Sequence, residues 1–176
     1  PERVYANTYV SEKATEIFGL EPNPPKLFED FYECIPETEK QRFMTSIEQA
    51  VDALQPWDYE GRFIRPDGEE IWFSGHSTPQ KIDDAVIFYG VLMDITQRKQ
   101  LEASQRIARF CFEKASIGIF RMGEQGQILD VNEQACRSLG YTREELCHMT
   151  VFDIDPRIRP DQVEPLQTVG QLTFEA

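Results

Sequence analysis

Tyr59-Glu60-Gly61-Arg62-Phe63-Ile64-Arg65-Pro66-Asp67-Gly68-Glu69-Glu70-Ile71-Trp72-Phe73-Ser74 decides the fold class. Polar and apolar residues alternate on either side of Pro66-Asp67-Gly68, turn chemistry that joins antiparallel strands. The period of two predicts strands over 59–65 and 69–77. Downstream, 81–84 is a polar turn, and the β-branched and aromatic run 85–95 predicts a third, more buried strand. Thr96 then opens a charged helix over 97–115. Upstream, Phe43, Ile47, Val51 and Leu54 stand at i, i+4, i+8 and i+11, the apolar stripe of an amphipathic helix over 38–54. Residues 28–35 form a shorter, aromatic-rich helix, and Pro22, Pro24 and Pro25 before it enforce a loop. Ser11 suits the N-cap of a helix over 12–18 that Gly19 ends in the left-handed region. A strand over 3–10 comes first. Helices on one face of an antiparallel sheet make an α+β unit.

The chain then repeats itself. Val10, Glu12, Ala14 and Gly19 recur as Val131, Glu133, Ala135 and Gly140, each 121 residues on, and Phe31 recurs as Phe152. Their common order marks a duplication. The second copy begins with strands at 117–122 and 128–131 around a turn at 123–126. A helix over 132–139 ends at Gly140, and Thr142-Arg143-Glu144-Glu145 is the capping box of the next. The copy stops at 172–176, where the first enters its hairpin. The expected organisation is a first unit over 1–96, a connecting helix over 97–115 and the start of a second unit over 116–176. Neither copy is complete, and a chain opening at Pro1 reads as a piece of something longer.

Composition narrows the function. A chain of 176 residues buries a core without needing disulfides or metal. With 31 acidic against 18 basic residues the net charge is −13, which repels nucleic acid and anionic membrane surfaces. The longest apolar run, 85–93, is nine residues long, against about 20 for a membrane span. Cys34, Cys111, Cys136 and Cys147 form no C-x-x-C pair, and no secretory leader is evident. A cytoplasmic protein with free thiols, no nucleic-acid partner and no membrane insertion is expected.

The hairpin Arg65-Pro66-Asp67-Gly68, the Trp72-bearing strand and the exit Met93-Asp94-Ile95-Thr96-Gln97-Arg98-Lys99 form one series over the first copy. Phe110-x-Phe112-Glu113-Lys114-Ala115, Val131-Asn132 and Leu139-Gly140-Tyr141-Thr142-Arg143-Glu144-Glu145-Leu146 form another over the second. Together they resemble the PAS family, small sensory domains with a five-stranded antiparallel sheet and a ligand-sized pocket. Asp94-Ile95-Thr96 resembles the signature that joins the last PAS strand to a signalling helix. Ile35-Pro36 departs from the His-Pro that members often carry. The resemblance implies a tandem sensor of a bacterial two-component or cyclic-nucleotide signalling protein, of histidine kinase or diguanylate cyclase type. A downstream output domain of the same polypeptide is implied with it.

Phe28, Phe31, Phe43, Phe63, Trp72, Phe73 and Phe88 either line a small apolar cavity or fill a core, since a pocket also needs convergent polar groups. Ser11, Tyr59 and His76 are the polar candidates in the first copy, and Arg121, Asn132 and Tyr141 in the second. The sequence names no ligand; a small organic molecule stays open. His76 and His148 read as ordinary histidines rather than haem ligands. Cys136-Arg137-Ser138 falls in the wrong place for the cysteine of photoactive flavin domains, and Cys136, Cys147 and His148 lack the spacing of a zinc site. Haem, flavin and metal are therefore not expected, and without a nucleophile elbow or P-loop neither is catalysis. Leu101, Ala108 and Ala115 recur at sevens, as do Ser104 and Cys111, beside Ile107 and Phe112: an a/d seam that predicts a homodimer through the connecting helix. Asp94 and Thr96 are the expected relay residues, the Asp94 carboxylate accepting from the first helical N–H groups with Gln97 three residues on. Two alternatives stay open. One is a ligand-free docking module with a packed core; the other lays strand 117–122 along the open edge of the first sheet, in its own chain or a partner.

Overall fold

The computed structural model describes residues 9–21, 24–83, 85–155 and 157. The chain divides into two compact units, Pro1–Glu102 and Ala103–Ala176. The strand expected over 3–10 and the hairpin entry expected at 172–176 lie outside the described residues, apart from positions 9 and 10, which are not strand.

In the first unit α1 (Glu12–Phe18) is bounded by its own side chains. Ser11 Oγ accepts from the Ala14 N–H at 3.3 Å, and Gly19 takes φ 64° to end the helix. Helix α2 (Pro24–Glu33) starts at Pro24, so Pro24 and Pro25 do not form the expected loop. A proline in the first turn lacks only an N–H that has no helical partner there, and its fixed φ already suits the helix. Helix α3 (Glu37–Ala53) buries Phe43 and Ala50; Leu54, expected to extend the apolar stripe, is instead the left-handed cap at φ 50° and is exposed.

Strands β1 (Trp57–Ile64), β2 (Glu70–Ile82) and β3 (Ala85–Asp94) form an antiparallel sheet in the order β1-β2-β3. The hairpin closes as its turn residues require: Arg65 and Glu69 pair, and the Gly68 N–H donates to the Arg65 carbonyl at 2.8 Å. Strand β2 runs on to Ile82, which confines the expected 81–84 turn to its end, with Asp83 at φ 50°. The expectation that β3 is a more buried strand is overturned. Tyr89, Val91 and Met93 are about half exposed, because β3 ends the strand order and one of its two rows faces away from the helices. The opposite rows face the helices, and there Phe18, Ile35, Phe43, Tyr59, Phe63, Ile71 and Phe73 form one core. Trp57 stacks flat on Tyr59 at 5.9 Å. Glycine makes this possible: a Cβ at Gly61 would overlap the Tyr59 ring, and one at Gly75 the Trp57 ring.

Helix α4 (Thr96–Lys114) comes next, and none of its residues is buried. In the second unit, β4 (Phe120–Met122) pairs antiparallel with β5 (Ile128–Val131). The strand expected over 117–122 is thus shorter and is paired within its own unit. Ile128, Val131, Ala135 and Leu146 form the core below α5 (Glu133–Leu139) and α6 (Arg143–Cys147). A last turn, α7 (Val151–Ile154), closes the described part. The duplication is visible in the caps: Asn132 and Gly140 bound α5 as Ser11 and Gly19 bound α1, at the same spacing of 121. The Thr142–Glu145 capping box forms in both directions.

Candidate functional site

The aromatic candidates divide by strand parity. Phe31, Phe43, Tyr59 and Phe63 converge with Phe73 and Phe18, and Phe28 packs against the same cluster. Their rings interlock: Phe31–Phe63 at 4.7 Å, Phe18–Phe63 at 4.9 Å, Phe31–Phe73 and Phe43–Tyr59 both at 5.2 Å. These are packing distances for rings in edge-on and tilted contact. The rings pack against one another as a core, and two open depressions among the described residues lie away from it, on the surface. One lies along α3 from Thr38 to Gln49, the other beside Tyr141 and His148. The Tyr59 hydroxyl is buried without a hydrogen-bond partner among the described residues, and burial pushes its phenol up. The Arg42 guanidinium stands 4.5 Å from the centroid of its ring.

Trp72 and His76 are not part of this cluster. Both lie on the other row of β2, one residue out of step with Ile71, Phe73 and Gly75, and side chains of alternate residues point to opposite faces. His76 Nδ1 meets Asp58 Oδ1 at 2.5 Å on the exposed face. Phe88, half-buried, stands opposite Pro79 near the far end of β3, outside the core cluster. In the second unit, Asn132 is fully buried and bonded through both polar atoms of its side chain. Its Oδ1 accepts from the Ile119 and Ala135 N–H groups at 2.9 and 3.0 Å, and its Nδ2 donates to the Ile117 carbonyl at 2.8 Å. Arg121 and Tyr141 are exposed, and neither meets Asn132 in a shared pocket. Ser11 is an exposed cap.

What the structure does bring together is the junction of β3 with α4. Asp94 Oδ1 accepts from the Thr96 N–H at 2.8 Å, not from the N–H groups deeper in the helix. The Thr96 hydroxyl accepts from the Trp72 N–H at 2.9 Å and faces the Trp72 carbonyl, while the Ile95 N–H donates to that carbonyl at 2.8 Å. Asp94 also faces Arg65 at 3.6 Å, and the Arg65 Nε donates to the Ile17 carbonyl in the last turn of α1 at 2.8 Å. Arg65 therefore touches α1, the hairpin residue Glu69 and the end of β3 at once. Sequence reasoning placed Arg65 only in the hairpin and missed Phe18, although Phe18 immediately precedes the helix-ending Gly19.

Further along, Glu60 on β1 receives Arg98 at 2.7 Å and Lys99 at 2.8 Å, and hydrogen bonds from Lys99 and Arg98 hold its carboxyl below the usual range. In the second unit Asp130 on β5 receives Arg109 at 2.5 Å. Burial opposes its charge, yet the hydrogen bond and field of Arg109 hold its carboxyl below the usual range.

An antiparallel sheet backed by helices, leaving through Asp94-Ile95-Thr96 into an exposed helix and succeeded by a second start of the same fold, is the build of a tandem sensory module. Residues 7–91 match a family model described as a PAS fold, and residues 105–170 match another described as a PAS domain. The chain belongs to the PAS family of sensory domains and carries two of its units in tandem. Similar solved structures include a sensory box histidine kinase/response regulator from Burkholderia thailandensis E264. It is 21% identical with a TM-score of 0.48, covering 58% of this chain and 78% of that one. A PAS domain of a protein from Colwellia psychrerythraea is 17% identical with a TM-score of 0.38, covering 48% and 73%. The PAS domain of a GGDEF family protein from Chromobacterium violaceum ATCC 12472 is 22% identical with a TM-score of 0.23, covering 49% and 82%. No curated protein matches the chain. No helix among the described residues is long and apolar enough to cross a membrane.

Proposed function

We propose that the chain receives a signal at the surface of its first unit and relays it through α4, acting as a homodimer joined along that helix. The single observation that carries this is α4 itself, nineteen residues long with none buried. Leu101, Ile107 and Phe110 are all more than half exposed. Helices in water draw most of their stability from packing an apolar face, so a partner for this one is the natural supplement. Leu101, Ser104, Ala108 and Cys111 occupy successive a and d positions, while Ala115 falls just past the helix end. The flanking positions hold Gln100, Gln105, Ile107 and Phe112, so two parallel copies oppose no like charges along that stretch. The interlocked rings of the first unit favour the form of this reading in which a partner domain, rather than a small molecule in the core, supplies the input. An output domain of histidine kinase or diguanylate cyclase type would lie elsewhere in the same polypeptide.

A native mass spectrum of the full chain beside a denaturing one tests the proposal. A dimer without added mass is expected. Added mass that vanishes on denaturation would restore the small-ligand reading, and a monomer at high micromolar concentration would remove the helix pairing.

Asp94 and Thr96 are the proposed relay point, because they tie the first turn of α4 to both β2 and β3. Asp94→Ala is expected to leave the first unit folded, since the carboxylate is partly exposed and outside the core. Output of the full-length protein should then cease to track its input. Normal signal dependence in that variant would remove Asp94 from the relay.

A further inference from the structure

Helix α4 is fastened by charge where helices are ordinarily fastened by apolar packing. Each half carries an ion network to one carboxylate on a strand of its own unit. In the first half, the two oxygens of Glu60 divide between Arg98 at 2.7 Å and Lys99 at 2.8 Å. Lys99 also stands 5.3 Å from the centroid of the Trp72 ring, and Arg98 holds Glu102 at 2.9 Å. In the second half, Asp130 takes Arg109 at 2.5 Å, and its side chain is only 13% exposed. Arg109 in turn holds Glu113 at 2.6 Å, which takes Arg143 of α6 at 2.7 Å.

We propose that Glu60 and Asp130 are positioning residues that latch the two halves of α4, each to its own unit and independently of the other, through attractions that salt screens. The inference deepens the reading of α4 as the relay element and rests on it for its biological meaning. Its physical basis is the weakness of such pairs. Exposed ion pairs such as Glu60–Arg98 change populations by only a few-fold each, the less exposed Asp130 pair by somewhat more, and at physiological ionic strength the reach of exposed charges is about 8 Å. A helix held this way has a defined resting position yet is released by a small input, as a two-state element must be.

Hydrogen exchange on the full 176-residue chain tests this directly. Glu60→Gln is expected to speed amide exchange over 100–104 by about threefold to tenfold and leave 108–113 unchanged. Asp130→Asn should do the reverse, and salt at about 1 M should speed both halves in the wild-type chain. The charge-reversed variant Glu60→Lys with Arg98→Glu, Lys99→Glu and Glu102→Lys, which also reverses the Glu102 pairs, should return 100–104 toward the wild-type rate, which a merely space-filling role for Glu60 would not produce. Unchanged exchange in Glu60→Gln, equal acceleration of both halves by either single substitution, or no recovery on charge reversal would overturn the proposal. A monomeric chain showing half-specific acceleration keeps the latch and loses the dimeric relay, so the two fail separately.

Discussion

Phe73→Ala is expected to unfold the first unit under conditions in which the wild-type chain is folded. Phe73 is wholly buried and its ring meets those of Phe31, Tyr59, Phe18, Phe63 and Phe43 at 5.2 to 6.4 Å. Removing a buried ring costs about 3–5 kcal/mol, the transfer of its surface plus the hole it leaves. Domains of this size are stable by about 5–15 kcal/mol, so the loss takes much of the margin. Both tryptophans, Trp57 and Trp72, lie in the first unit. Tryptophan fluorescence in a guanidinium titration therefore reads that unit alone. The midpoint should fall steeply for Phe73→Ala and far less for Phe73→Leu. An unmoved midpoint would mean that the rings do not pack as a single core.

The second unit has its own single point of failure. Asn132→Ala removes an N-cap and strands the Ile119 N–H and the Ile117 carbonyl, both of which Asn132 satisfies. A lost cap costs about 1 kcal/mol, and the part-buried Ile119 N–H left without a partner about 1–3 kcal/mol more, while the exposed Ile117 can turn its carbonyl to water. A total near 2–4 kcal/mol is expected, seen as much faster amide exchange over 128–131 in β5. Asn132→Ser restores an oxygen for the cap but reaches neither residue 117 nor residue 119, so it should recover only part of the loss. Equal stability of Asn132→Ala and the wild type would show the two loop bonds to be unimportant.

The features legible in the sequence are those set over short range. Ser11 with Gly19, Asn132 with Gly140, and Thr142 with Glu145 each fix a helix end through residues three to eight apart, so local chemistry suffices. The Pro66-Asp67-Gly68 hairpin is legible for the same reason. Facing is less so. Trp72 groups with the core as an aromatic and His76 with a pocket as a polar candidate, although counting by twos from Phe73 puts both on the opposite row. Burial of β3 is easily misjudged because nine apolar residues in line suggest a covered strand, whereas coverage depends on which elements lie beside it. The partners of Glu60 and Asp130 on α4 are 38 and 21 residues away in sequence, a separation that no spacing rule reaches. Arg65 is hidden likewise, since its bond to Ile17 spans 48 residues.

Because no residue of α4 is buried, neither unit dictates how long it must be. Among the described residues no ion pair ties α4 to either unit between Lys99 and Arg109, so added or removed turns would be absorbed there. Such a stretch keeps its phase only in particular steps. Seven added residues rotate the distal end of the helix by about 20° against its proximal end, while four rotate it by about 40°. An insertion of whole heptads in α4 therefore nearly keeps the rotational phase of its two ends, and a four-residue insertion turns them about twice as far.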